Sequence, residues 1–151
     1  MLSKSINLYK ILQKQYSRRI NLDLTRINKV LKKLNNPHLN LNNPIIITNE
    51  EQRFVVSEQM RSINVNPNSI LLEPMGKNTA PAITLATLKA LESSIDPFLL
   101  ILSSDHKIED EKNFKSIIEY GLQHANNGRL VTFGVEPDNP ETGYGYIESF
   151  E

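Results

Sequence analysis

The sequence predicts an α/β fold built on a mostly parallel sheet. Three observations point there. From residue 44 onward, short apolar runs alternate with stretches whose apolar residues recur at helical spacing. One run, Phe98–Leu102, is apolar at every position, as an interior strand covered on both faces requires. Polar loops carrying Pro, Gly, Asn or Asp punctuate the runs.

Residues 1–43 are expected to form a basic, mainly helical segment ahead of that fold. Leu24, Ile27, Val30, Leu31 and Leu34 recur at helical spacing, with Thr25, Lys29, Lys32 and Lys33 on the other face, and Asn35-Asn36-Pro37 stops the pattern. The segment holds nine Lys/Arg against one acid, Asp23, a net of +8; the remainder carries −8, so the chain is neutral overall. A basic arm can bind nucleic acid. Here Tyr9 and Tyr16 are its only aromatics, too few for a stacking platform, so a solvated surface is the expectation and nucleic acid is not an expected partner.

Residues 44–151 are the second expected unit. Ile45-Ile46-Ile47 is β-branched and bounded by Pro44 and Asn49, which predicts a buried strand. Asn49 can cap the next helix, with Glu50 and Glu51 in its first turn. Phe54, Val55, Met60 and Ile63 give that helix an apolar face, and Ser69–Leu72 is the next strand. After a loop from Glu73 to Asn78, Thr79 can cap a helix with Pro81 in its first turn, where proline is tolerated. Phe98–Leu102 is the third strand of this unit. Asp110 can cap a helix running to Asn126, and Gly128 stands where a left-handed cap belongs. Leu130–Val135 and then Tyr144–Ser149 are expected as further strands.

The 151 residues amount to one domain. Cysteine is absent, which excludes disulfides, thiolate catalysis and Cys-ligated zinc. No apolar run approaches the ~18–20 residues of a membrane span. Lys4, Lys10 and Lys14 break the early apolar stretches that a signal peptide would need, so a cytoplasmic location is expected.

In parallel sheets ligands sit beyond the carboxyl ends of the strands, which nominates loops 73–79, 103–109 and 136–145. In the first, Gly76 permits close backbone approach, and free amides with Lys77 could meet a phosphate or a base edge; a plain capped connection has the same spacing. In the second, Asp105 ends a buried strand and suits Mg²⁺, which takes one or two carboxylates plus substrate phosphates; an Asx turn is the alternative. In the third, two glycines and two tyrosines within Pro140–Tyr146 could admit a polar ligand such as a sugar, or form an ordinary turn.

Three ordered motifs go further. Glu73-Pro74-Met75-Gly76-Lys77-Asn78-Thr79-Ala80-Pro81-Ala82 is followed by Leu102-Ser103-Ser104-Asp105-His106. Thr132-Phe133-Gly134-Val135 then leads to Pro140-Glu141-Thr142-Gly143-Tyr144-Gly145-Tyr146-Ile147. Together, over about residues 44–149, they closely resemble the bacterial mannose-1-phosphate guanylyltransferases (GDP-mannose pyrophosphorylases). The resemblance implies a Rossmann-like, three-layer nucleotidyltransferase fold. It implies the reaction of GTP with mannose 1-phosphate to give GDP-mannose and pyrophosphate, with Mg²⁺ as cofactor. It implies that Glu73, Gly76, Asn78, Thr79 and Ala80 border the nucleotide and that Asp105 binds the metal. Glu141, Gly143, Tyr144, Gly145 and Tyr146 match the sugar-holding region. Lys14, in Lys14-Gln15-Tyr16, echoes a Pro-Lys-Gln-aromatic segment of the family and is carried over as a second catalytic residue.

The sequence also departs from the family. Its members open with a strand and a Gly-Gly-x-Gly-Thr-Arg-Leu-Trp-Pro loop around the triphosphate, whereas this sequence has no glycine before Gly76. The expectation is therefore an incomplete domain, lacking the first strand and the C-terminal half, with little or no activity alone. Self-association or completion by another chain is expected to cover the gap in the sheet. Two alternatives stay open: a non-catalytic remnant that binds nucleotide or sugar phosphate, and a transferase acting on another sugar 1-phosphate.

Overall fold

A computed structural model describes residues 6–13, 39–75, 79–93, 96–103, 108–140, 142–143 and 145–148. In chain order these form β1 (Ile6–Gln13), β2 (Leu39–Leu41) and β3 (Ile45–Asn49). A 3₁₀ turn (Glu50–Gln52) leads into α1 (Arg53–Ser62). Then come β4 (Ser69–Glu73), α2 (Thr79–Leu91), β5 (Phe98–Ser103) and α3 (Glu111–Asn126).

All strand pairings are parallel. β1 pairs with β5 along Leu8–Gln13, and with β3 through Ile11↔Ile45 to Gln13↔Ile47. Those stretches overlap, so β3 and β5 lie on opposite edges of β1. β2 pairs with Ile6–Leu8, so β2 and β3 follow one another along the same edge. β4 lies outside β3, with Asn49 opposite Glu73. Counting β2 and β3 as one position, the strand order is 3-2-1-4, one half of a doubly wound sheet.

The expected parallel α/β architecture is what the chain adopts, with one correction. Residues 6–13 lie in the segment expected to be mainly helical, ahead of a sheet expected to lack its first strand; they form β1, which fills the centre of the sheet. The physical reason is tertiary. Apolar residues at 6, 8, 9, 11 and 12 suit a strand or a helix equally, and backbone partners on both edges decide between them. The helix expected from Leu24 to Leu34 lies outside the described residues.

Strand alternation divides the core between the two sheet faces. On one face Ile46 and Leu100 pack with Val56 and Met60 of α1 and Ile118 of α3. On the other, Ile45 and Ile47 meet Ala82, Ala86 and Ala90 of α2, with Leu71 and Leu99 alongside. Helices on both faces make three layers. Ile45, Ile46 and Ile47 are each at most 1% exposed, and burial of such a side chain stabilises by roughly 1.5–3 kcal/mol.

Local chemistry sets the helix ends. Asn49 accepts from the Gln52 amide at 3.1 Å, and Asp110 from the Asn113 amide at 2.9 Å, as the sequence predicts. α1 and α3 terminate in the same way. Val65 N donates to Met60 O and Asn64 N to Arg61 O; Arg129 N donates to His124 O and Gly128 N to Ala125 O. Each pair is a Schellman cap, with Asn64 (φ 53°) and Gly128 (φ 75°) in the left-handed position.

Two further expectations are corrected. The inward residues of α1 are Val56 and Met60, while Phe54 is 70% exposed, so the face of that helix is shifted. Leu130–Val135 and the described part of 144–149 form no strand. Phe133 and Val131 instead lean on α3 at Gly121, where the missing side chain leaves room: an added Cβ would stand 2.8 Å from Phe133 Cζ. A β-branched run becomes a strand only when a neighbouring backbone pairs with it. Among the described residues, no helix is long and apolar enough to cross a membrane.

Candidate functional site

Because the strands are parallel, their carboxyl ends form one rim. Gln13 is in register with Ile47 on one side and Ser103 on the other, and Asn49 with Glu73. Along the rim the order is β4, β3, β1, β5. The chain steps from β1 outward to β4 and then crosses back to β5, so the strand order reverses between β1 and β5. Ligands of open α/β sheets bind at that switch point.

Two of the three nominated loops leave this rim. Glu73, the last residue of β4, is 7% exposed, a buried carboxylate at the loop's root. Thr79 and Ala80 are the first two residues of α2 and are exposed. Gly76 and Asn78 lie outside the described residues, as do Lys14, Asp105, Glu141 and Tyr144. In the chain Lys14 directly follows Gln13, and Asp105 comes two residues after Ser103, which is Gln13's partner in the β1–β5 ladder. Gly143, Gly145 and Tyr146, carried over for the sugar, are exposed and belong to neither core cluster. No group of three or more His, Cys, Asp or Glu suited to a metal occurs among the described residues.

A cleft of about 510 Å³ opens at the ends of β3 and β4, within the usual range for small-molecule sites. It is lined by Asn49, Glu50, Glu51, Arg53 and Phe54 from the end of β3 and the start of α1, and by Pro74 and Met75 after β4. Arg53 lies over the Phe54 ring, 4.5 Å from its centroid, and donates to Glu50 Oε1 at 3.1 Å. Phe54 is 70% and Met75 64% exposed, so an aromatic ring and a thioether stand open to a ligand. Nearby, Thr48 Oγ1 and Gln52 Oε1 are buried without hydrogen-bond partners among the described residues.

The nominated loop 73–79 supplies Pro74 and Met75 to this cleft, whereas the sequence marks Asn49–Glu51 as a helix cap only. The carboxyl end of β3, a parallel strand, belongs on the same rim.

Comparison with known proteins agrees with this arrangement. Residues 11–151 match the family described as Nucleotidyl transferase, and the match begins inside β1. The xanthan biosynthesis protein XanB of Xanthomonas campestris pv. campestris is 51% identical over 103 residues, which is 68% of this chain and 22% of that protein. A mannose-1-phosphate guanylyltransferase of Klebsiella pneumoniae is 52% identical over 102 residues (68% and 22%). One from Escherichia coli K12 is 50% identical over 107 residues (70% and 22%). The matched part is thus about a fifth of the length of these relatives. The crystal structure of mannose-6-phosphate isomerase from Helicobacter pylori superposes with a TM-score of 0.67 at 31% identity, over 89% of this chain and 53% of that one. With a parallel sheet whose order reverses beside β1, and a family match spanning most of its length, the chain belongs to the nucleotidyl transferase family.

Proposed function

We propose that this chain is the nucleotide-binding part of a mannose-1-phosphate guanylyltransferase, joining GTP and mannose 1-phosphate to give GDP-mannose and pyrophosphate. The observation that carries the reading is the rim. The β1–β5 ladder ends at Gln13↔Ser103, and the two carried-over catalytic residues, Lys14 and Asp105, follow in the chain within two residues of that pair. The identity to named guanylyltransferases supplies the substrate class.

In this reading a phosphate oxygen of mannose 1-phosphate attacks the α-phosphorus of GTP. The bond from that phosphorus to the bridging oxygen of pyrophosphate breaks, and pyrophosphate leaves. Lys14 neutralises charge on the phosphates, and the buried Glu73 with the first turn of α2 orients the nucleoside. Asp105 would hold Mg²⁺. One carboxylate plus substrate phosphates is a donor set this hard cation accepts, and when bound it offsets the charge developing at phosphorus.

The position after β1 reads Lys14-Gln15-Tyr16-Ser17-Arg18-Arg19, with no glycine. A backbone cradle for the triphosphate is therefore weakened, and losing one such donor typically costs ~10²–10³ in rate. We expect slow turnover. The test is pyrophosphate release by the purified chain with GTP, mannose 1-phosphate and Mg²⁺. Release abolished by Asp105→Asn supports the proposal. A folded protein that neither releases pyrophosphate nor binds GTP refutes it. GTP binding without release would favour the non-catalytic remnant.

A further inference from the structure

We propose that the outer edge of β5 is the surface through which two copies of this chain pair, strand against strand, into one continuous sheet. Among the described residues β5 is paired on one edge alone, to β1. Its sequence, Phe98-Leu99-Leu100-Ile101-Leu102-Ser103, carries no charge, no proline and no glycine. Sheet edges that stay open to water are blunted by charge, by proline or by shortness. Elsewhere in this sheet that holds: β4 ends on the buried carboxylate of Glu73, and β2 is three residues long. β5 has no such device. Its α2 side is also open. Ile101 is in register with Ile11 and, through it, with Ile45, which α2 covers, yet Ile101 is 41% exposed.

The next segment of the same chain is kept from this edge by handedness. The β3–α1–β4 crossover runs away from β1 with its helix on the Ile46 face. The β4–α2–β5 crossover runs the opposite way with its helix on the Ile45 face, so the two share one hand. α3 returns to the Ile46 face, where Ile118 packs with Ile46 and Leu100. A parallel strand following it on the outer edge of β5 would reverse that hand, and parallel crossovers keep one hand in about 98% of cases. Leu130–Val135 accordingly leans on α3 at Gly121, with Leu130 102% and Val135 90% exposed.

A second copy meets no such obstacle. Turned about a two-fold axis, β5 faces itself antiparallel, and an isologous contact of this kind closes as a dimer. With Leu100 opposite its own equivalent, Leu99 stands opposite Ile101 of the second copy and Phe98 opposite Leu102. Apolar residues then meet apolar residues on both faces, and no charge meets a like charge. The carboxyl ends of the two sheets point in opposite directions, so both rims stay open to ligand.

The test is analytical ultracentrifugation of the full chain across the micromolar range, with amide hydrogen exchange on the same sample. The expected result is a dimer in which the β5 amides that point away from β1 are protected. Ile101→Lys places a charge on the edge at a surface position. It should return the protein to monomer and release those amides, with the circular dichroism unchanged. A monomer overturns the proposal; if its outward β5 amides are nevertheless protected, another segment of the same chain holds the edge. A dimer whose outward β5 amides exchange freely, or one that survives Ile101→Lys, places the contact elsewhere and overturns it as well. The exchange pattern of the unmodified chain decides even where the variant fails to fold.

Discussion

Replacing Ala86 by leucine should destabilise the protein even though it adds apolar surface. α2 is apolar nearly all round, so its composition does not say which face meets the sheet. The structure assigns that role to alanines: Ala82, Ala86 and Ala90 are each 0% exposed against Ile45 and Ile47, while Leu85 and Leu88 are 45% and 59% exposed. Small residues four apart let the helix backbone approach the strands closely. A leucine at 86 has no space there, and overpacking of a filled core costs about 2 kcal/mol. For a domain of this size the melting temperature should fall by roughly 4–8 °C. Leu88 lies about 200° around the helix from Ala86, and Leu88→Ala should cost less than about 1 kcal/mol, because more than half of that side chain already faces water. Urea unfolding of both variants by far-ultraviolet circular dichroism gives the comparison. A neutral Ala86→Leu with a costly Leu88→Ala would mean that α2 presents its leucines to the sheet, and the reasoning fails.

Other expectations follow from single groups. Asn64 and Gly128 occupy equivalent left-handed positions, so Asn64→Gly should raise stability by several tenths of a kcal/mol and Gly128→Ala should lower it by about 1 kcal/mol; thermal melts of the pair check the sign. Asp110→Ala removes the acceptor for the Asn113 amide and should cost about 1 kcal/mol, read from the urea midpoint at constant slope. Thr48→Val keeps the branched shape and removes a buried hydroxyl without a partner, so a gain of about 1 kcal/mol is expected; a loss would show that the hydroxyl is bonded.

Much of the fold was legible because its signals are local. Asn49 and Asp110 cap helices with their own side chains, Gly128 can take a positive φ without strain, and the apolar run Phe98–Leu102 forms a strand as expected, but not an interior one: among the described residues β5 pairs only with β1, and Ile101 is 41% exposed. What escaped the sequence depends on partners distant in the chain. β1 contains Asn7 and Lys10, has no flanking Gly or Pro, and is made a strand by β3 and β5, whose residues lie more than thirty positions away. Leu130–Val135 carries the opposite lesson, since a strand-like composition without a pairing edge yields no strand. Phe54 was read as core because it is large and apolar; a phase shift in α1 turns Val56 inward and leaves Phe54 lining the cleft. The placement of loop 73–79 between a strand and a helix was legible, since β4 and α2 flank it as expected. The contribution of Asn49–Phe54 was hidden until the ends of β3 and β4 were seen side by side.

The central claim is that residues 6–13 form the middle strand of the sheet and so create the switch point beside which the site is built. Amide hydrogen exchange tests it directly. Leu8 and Ile11–Gln13 are paired on both edges, so their amides should exchange as slowly as those of Ile45–Ile47 in β3, near the limit set by global unfolding. Exchange of residues 6–13 at the rate of an unstructured chain, with β3 still protected, would contradict the account.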